Sequence, residues 1–204
     1  KPYRGKPHPV PGTISPDEFD EGGAGVAYVD MDKGNRAARK SDGSVRAGDD
    51  VDCARGNVGF VSRGEWINYT INVEKHAMYD FVFRYGMPGN AKHSLKLRLD
   101  GEELADIELK PHARGDYFAD TEAKVRVELP AGVHILTLCL NGSFNFSSFR
   151  LDRSEAELPF AFRERFLQIH QRDMRDFSLV PGPDEFAFRD GCIVPSEDFA
   201  AYLN

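Results

Sequence analysis

Carboxylates are the most plentiful reactive side chains of this protein, with 33 Asp and Glu among 204 residues. Glu65 has the most distinctive context, because it directly precedes Trp66 at the head of a predicted strand. A buried carboxylate at such a place more often braces a loop than catalyses a reaction, and we interpret Glu65 in that way. The sequence contains no HExxH, GxSxG or P-loop motif, and no GxGxxG followed by a helix. It therefore offers no familiar catalytic constellation.

The candidate metal ligands and thiols also lack the spacing of known sites. Residues 30–35, Asp-Met-Asp-Lys-Gly-Asn, resemble the start of a calcium loop, but Ser41 stands where an EF-hand has its twelfth, acidic residue. We therefore predict a turn with solvated carboxylates. Cys53, Cys139 and Cys192 are widely separated and form no CxxC pair. Their spacing predicts neither a disulfide scaffold nor a zinc site.

The charge balance excludes two classes of partner. With 26 Lys and Arg, the formal net charge is −7 and the isoelectric point is about 5.4. A nucleic-acid-binding surface is clustered and basic, so no nucleic-acid partner is expected. No stretch approaches the roughly 18 uninterrupted apolar residues of a membrane span, so no membrane partner is expected either.

Short runs that alternate apolar and polar residues predict the fold. They cover 66–73, 79–85, 94–99, 104–109, 123–129, 133–140 and 144–151. Asp100-Gly101 between two of them is a strong hairpin signal. Short strands without intervening helices indicate an all-β fold, an antiparallel jelly-roll-like β-sandwich. The alternation predicts a core that includes Trp66, Tyr69, Phe81, Phe83, Leu97, Val127, Leu136 and Leu138.

The C-terminal part has a different composition. Phe162, Phe166 and Ile169 recur near helical spacing, which predicts a helix over 160–176. Segments 186–188 and 192–194 predict a small hairpin.

These patterns divide the chain into three parts. We predict an N-terminal linker over 1–10 and the sandwich over 11–152. The remaining 153–204 form a mostly helical and irregular extension, which packs on the sandwich or leads to another domain.

A longer pattern of residues spans the predicted sandwich. It includes Pro11-Gly-Thr-Ile14, Phe19-Asp-Glu-Gly-Gly23, Asn57-Val-Gly59, Gly64-Glu-Trp-Ile-Asn-Tyr-Thr-Ile-Asn-Val73, Leu129-Pro-Ala-Gly132 and Phe144-Asn145. Over 11–152 this order resembles the family 6 carbohydrate-binding modules. The resemblance implies a galactose-binding-like β-sandwich. It also implies a secreted or cell-surface bacterial protein, periplasmic in some cases, in which a separate catalytic domain degrades polysaccharide.

The resemblance further implies a sugar site in the loops at one end of the sandwich, where two aromatic rings clamp a sugar beside an asparagine. Asn145 matches the asparagine, and Tyr117 stands where the family has tryptophan. The second ring belongs shortly before Arg46, where residues 39–45 offer none. We predict that Lys40 or its neighbour Arg39 supplies a cation instead, which would favour uronic or sulfated sugars. The alternative is that Lys40 is solvated and that the site no longer binds sugar. The predicted sugar-binding residues are Tyr117, Asn145, Lys40, Asn35, Asp116 and Phe118.

A structural calcium site is also implied by the resemblance. At its three side-chain positions this sequence has Ser15, Asp17 and Ser147, so that Asp17 is the one carboxylate. Calcium takes six to eight oxygen ligands with net negative charge. We therefore expect a degraded site with weak affinity at Asp17.

Two functions remain open at this point. The first is a non-catalytic module that binds polysaccharide or oligosaccharide and brings the catalytic domain of the same polypeptide to its glycan. The second is a structural sandwich that has lost sugar binding and serves as a docking or spacer domain. An enzyme in its own right would need a constellation that the sequence lacks.

Overall fold

A computed structural model of the chain describes residues 1–37, 46–54, 56–89, 91–112, 115–118 and 121–156, together with the backbone of two short strands near the C-terminus. A 3₁₀ turn spans Tyr3–Gly5. The strands are β1 (His8–Val10), β2 (Gly12–Ile14), β3 (Tyr28–Val29), β4 (Cys53–Ala54), β5 (Asn57–Val58), β6 (Glu65–Val73), β7 (Ala77–Gly86), β8 (His93–Leu99), β9 (Glu102–Leu109), β10 (Thr121–Leu129), β11 (Gly132–Asn141), β12 (Asn145–Arg153), β13 (Phe186–Arg189) and β14 (Cys192–Pro195).

Two sheets form a sandwich, as the sequence predicts. The first has the order β1-β6-β11-β8-β9, with β3 also paired to β6. The second has the order β10-β7-β12-β5-β4, with β2 paired to β12. Among these strands every pair is antiparallel except β1 and β6. The long strands β6 to β12 lie within a few residues of the alternating runs in the sequence.

Aromatic side chains fill the space between the sheets. Tyr69 of β6 packs edge-on against Phe149 of β12, with 4.8 Å between ring centroids. Phe83 of β7 lies 5.1 Å from Phe146 by the same measure, and all four side chains are fully buried. Burial on alternate positions confirms seven of the eight predicted core residues.

Trp66 is the exception, and its predicted place in the core is wrong. Along β6 the inward side chains are Ile67, Tyr69 and Ile71, and successive residues of a strand point to opposite faces. Trp66 is three positions from Tyr69, so it lies half-buried on the outer face, opposite Cys139 of β11. Cys139 is half-buried for the same reason.

The hairpin between β8 and β9 follows its sequence signal. Asp100 has φ of 51° and Gly101 has φ of 89°. Two consecutive left-handed residues are the geometry of a type I′ turn, whose twist matches that of the flanking strands. Leu99 and Glu102 accordingly pair directly across the turn.

The predicted linker 1–10 contributes a strand to the sandwich instead. His8–Val10 forms β1, which pairs in parallel with β6, and the Val10 side chain is buried. Pro9 has no backbone N–H to donate, which suits a strand at the edge of a sheet. A three-residue strand with a central proline shows no alternation long enough to detect in the sequence.

The chain divides into two compact units, Lys1–Glu157 and Leu158–Asn204. In the second unit, β13 pairs antiparallel with β14, which confirms the predicted hairpin. The helix predicted over 160–176 lies outside the described residues. Over the part of the chain that the structure describes, no helix has the length and apolar character needed to cross a bilayer.

Candidate functional site

A cleft of about 1170 Å³ opens at one end of the sandwich, within the first unit. Five connections converge there, because antiparallel strands begin and end at the same edge of their sheets. They are the loops β3–β4, β5–β6, β7–β8, β9–β10 and β11–β12. The lining includes Arg36, Gly59, Phe60, Arg63, Lys92, His93, Tyr117, Phe118, Ser143 and Asn145.

Asn145 lies in this cleft at the first position of β12, and Gly59 makes room for it. A Cβ atom on Gly59 would lie 2.8 Å from Oδ1 of Asn145, closer than real Cβ atoms approach their neighbours. The side-chain amide of Asn145 forms no hydrogen bond with any described residue. A planar amide offers two donors and one acceptor oxygen. The cleft therefore presents an amide that is free to bind a polar ligand.

Tyr117 is fixed in the cleft by its hydroxyl. The Tyr117 oxygen lies 3.0 Å from Oγ of Ser143, while 38% of the residue stays exposed. The Ser143 N–H in turn donates to Nδ1 of His93 at 3.3 Å. Gly142 permits this arrangement, because a Cβ there would collide with the His93 ring. These interactions hold an aromatic ring at the surface in one orientation.

Phe60 supplies a further exposed ring, which is not among the residues predicted from the sequence. It is 58% exposed, and the Arg36 guanidinium lies over its ring at 4.7 Å from the centroid. Arg36 is itself held by two ion pairs: its Nη2 atom lies 3.1 Å from Oδ2 of Asp52 and 2.9 Å from Oδ2 of Asp32. The Phe60 backbone has φ of 51°, a left-handed value that is costly outside glycine and often marks functional positions.

No sequence signal identifies Phe60. Alternation from Val58, which is buried, would place Phe60 inside the sandwich. The left-handed backbone reverses this direction, so that Phe60 points outward and Val61 is buried.

The predicted sugar-binding residues divide into three groups. Tyr117, Phe118 and Asn145 line the cleft, and Phe118 is 86% exposed. Asn35 and Asp116 are not among the lining residues. Lys40, like its neighbour Arg39, lies outside the described residues.

Asn35 and Asp116 instead shape the loops. The Asn35 amide donates to the Cys53 carbonyl at 2.8 Å, and its oxygen accepts from the Ala37 N–H at 3.0 Å. Asp116 accepts the Phe118 N–H at 2.8 Å within its own turn. A short polar side chain that bonds the backbone two residues on is typical of turns.

Glu65 braces two loops, as its position in the sequence predicts. It is only 5% exposed, and its carboxylate accepts the N–H of Ser62 at 2.9 Å and of Met31 at 3.3 Å. Burial raises the pKa of Glu65 to about 7. Its oxygens are occupied by backbone donors, and Glu65 is not among the cleft lining. The carboxylate therefore holds together two loops that border the cleft, β3–β4 and β5–β6.

Asp17 is engaged within the protein by a hydroxyl and a guanidinium. One Asp17 carboxylate oxygen accepts the Ser15 hydroxyl, and the Arg46 guanidinium donates to the Asp17 carbonyl at 3.0 Å. Within the described ranges, no group of three or more His, Cys, Asp or Glu side chains is arranged to hold a metal ion. Residues 30–34 form the predicted turn, but its carboxylates are not simply solvated: Asp30 and Asp50 oxygens accept backbone N–H groups, and Asp32 pairs with Arg36.

Several solved structures are similar to this chain. CsCBM6-3 from Clostridium stercorarium, in complex with cellobiose, is 15% identical with a TM-score of 0.52; the match covers 74% of this chain and 99% of that one. A module of lichenase 5A from Cellvibrio mixtus, in complex with cellotriose, is 23% identical with a TM-score of 0.44. That match covers 48% of this chain and 78% of the module. A comparison with curated protein sequences finds no match.

The sequence also matches a family model directly. The model of the family 6 carbohydrate-binding modules matches residues 36–153, which is more than half of the chain. This range contains every cleft residue and the strands β4 to β12. Modules of this family are non-catalytic and bind carbohydrate. The chain therefore belongs to family 6 of the carbohydrate-binding modules.

Proposed function

We propose that this protein holds a segment of polysaccharide in the loop cleft without cleaving it. The observation that carries the proposal is the amide of Asn145, which is without a described partner in the same cleft as the exposed Tyr117 ring. Family membership supports carbohydrate as the ligand class.

The two groups suit the two kinds of surface that a sugar presents. The axial C–H bonds of a pyranose form an apolar face, which stacks on an aromatic ring such as Tyr117 or Phe60. Its hydroxyls donate and accept hydrogen bonds, and the Asn145 amide can bridge two adjacent ones. The rings of the cleft are exposed to water, so we expect dissociation constants in the high micromolar to millimolar range, equivalent to about −4 to −6 kcal/mol.

The wider context of the module is part of the same proposal. We propose that the cleft brings a catalytic domain of the same polypeptide to its glycan, in a secreted, cell-surface or periplasmic bacterial protein. Family membership supports this arrangement. The alternative, a structural spacer without sugar binding, predicts that no glycan binds.

Affinity electrophoresis through gels that contain different polysaccharides tests the proposal. Wild type should be retarded by at least one glycan, and Asn145→Ala and Tyr117→Ala should migrate freely. Asn72→Ala is the matched control, because Asn72 is exposed at the opposite end of β6. Thermal midpoints of all variants should agree, since neither cleft residue is in the core. Free migration of wild type on every glycan would favour the spacer.

The same gels test the calcium site. We propose that binding and thermal stability are little changed by a chelator, because Asp17 is the only carboxylate of the predicted site. A large loss of stability on chelation, with recovery on calcium addition, would contradict this.

A further inference from the structure

The charges of the cleft differ from those of the whole chain. The protein carries a net charge of −7, yet no Asp or Glu is among the described residues that line the cleft. Three cations do line it, Arg36, Arg63 and Lys92. The described charged side chains of the lining are therefore all basic, on a protein that is acidic overall.

Two of these cations are available to a ligand. The charge of Arg36 is balanced by its ion pairs with Asp32 and Asp52. Arg63 and Lys92 are exposed, and neither forms an ion pair with any described residue. His93 lies in the same lining, where its Nδ1 accepts the Ser143 N–H at 3.3 Å.

The sheet register places Arg63 and Lys92 on either side of the loop that carries Ser143. Leu140 of β11 pairs with Glu65 of β6 on one side and with Leu95 of β8 on the other. Arg63 lies two residues before Glu65, and Lys92 three residues before Leu95. Two strand spacings separate β6 from β8, which amounts to roughly 10 Å. The two cations thus flank the same stretch of cleft.

We infer that the cleft selects an anionic glycan, whose carboxylate or sulfate groups bind Arg63 and Lys92 while its sugar rings contact Tyr117 and Asn145. This rests on the proposed function. Stacking on an aromatic ring does not depend on the charge of the sugar, whereas an unpaired cation rewards an anion. The sequence predicts Lys40 or Arg39 for this task, and both lie outside the described residues; the described cations that line the cleft are Arg36, Arg63 and Lys92.

Pairs of polysaccharides that differ only in charge provide the test. One member is a uronic-acid or sulfated chain, and the other is the same chain after carboxyl reduction or desulfation. Separate carboxylate and sulfate pairs distinguish the two anions. Wild type should bind one acidic chain about tenfold more tightly than its neutral partner. The preference should vanish between roughly 0.01 M and 1 M salt, where the Debye length falls from about 30 Å to about 3 Å.

Single variants then test whether Arg63 and Lys92 cause the preference for the acidic chain. Arg63→Met and Lys92→Met should each weaken binding of the acidic chain about three- to fivefold, and should weaken binding of the neutral chain less. Lys75→Met is the matched control, because Lys75 is exposed beyond the other end of β6. Equal binding of both members, still lost in Asn145→Ala, would overturn this inference and leave carbohydrate binding intact. No binding of either member of any pair would overturn both.

Discussion

The aromatic side chains of the sandwich interior and of the cleft are alike in type but opposite in exposure. Phe83 and Phe146 are completely buried between the sheets, whereas Phe60 and Phe118 are mostly exposed. The interior rings lie on long strands, where the side-chain direction alternates. The cleft rings lie on loops, where turns and a left-handed backbone set the direction. The strands therefore provide the packing that stabilises the sandwich, and the loops provide the exposed rings of the cleft.

The largest expected effect is on stability. Phe83→Ala should lower the free energy of unfolding by about 3–5 kcal/mol, because it leaves a cavity between the sheets. Phe118→Ala should change it by less than about 0.5 kcal/mol, since that ring is 86% exposed. Urea unfolding of the two variants measures both values. Similar losses for the two variants would remove the distinction between interior and cleft rings.

The second effect is a pH dependence that originates behind the cleft. Burial raises the pKa of Glu65 from an ordinary 4.5 to about 7. Between these values the folded state binds more protons than the unfolded state, so stability falls as the pH rises through this window. The loss amounts to roughly 2–3 kcal/mol between pH 5 and pH 8, at about 1.4 kcal/mol per pH unit.

Glu65→Gln isolates this contribution. The variant is neutral at every pH, so its unfolding free energy should fall less than that of wild type between pH 5 and pH 8. Other titrating groups contribute equally to both proteins and cancel in the comparison. Urea unfolding at both pH values provides the measurement. Identical pH slopes would show that Glu65 titrates as an ordinary surface carboxylate.

A third effect concerns the contact between Gly59 and Asn145 in the cleft. Gly59→Ala should weaken glycan binding about tenfold, because the new Cβ displaces the Asn145 amide that it would meet at 2.8 Å. Gly48→Ala is the matched control, since a Cβ there meets no atom within 4 Å. Titration calorimetry on the glycan found by electrophoresis compares the two. If Gly59→Ala bound as well as Gly48→Ala, Asn145 would not contact the ligand.

The smallest effects separate a ring from its hydroxyl. Phe60→Ala should weaken binding about two- to tenfold through loss of stacking. Its stability should be almost unchanged, because Ala and Phe share the left-handed strain at this position. Tyr117→Phe keeps its ring but loses the bond to Ser143, and should change affinity less than about threefold. If Phe60→Ala bound the glycan as well as wild type, Phe60 would have no role in ligand binding and would only pack against Arg36.

Patterns in the sequence were enough to predict the sandwich and part of its cleft. Alternation over β6 to β12 and the Asp100-Gly101 turn are local signals, because side-chain direction in a strand depends on position alone. Family resemblance located Tyr117 and Asn145, which the structure brings into one cleft. Trp66 is the exception within the strands, since the prediction placed it inside while its own strand turns it outward.

Which loop residues line the cleft depends on contacts between distant parts of the chain. Phe60 points outward because one backbone angle departs from the strand, and no neighbouring residue type announces that departure. Asn35 and Asp116 share polar chemistry with Asn145, but backbone donors and acceptors nearby occupy them. Arg63 and Lys92 are far apart in sequence and flank one cleft because β6 and β8 both pair with β11. Loop directions and long-range strand pairing depend on interactions between distant residues, which a linear pattern does not contain.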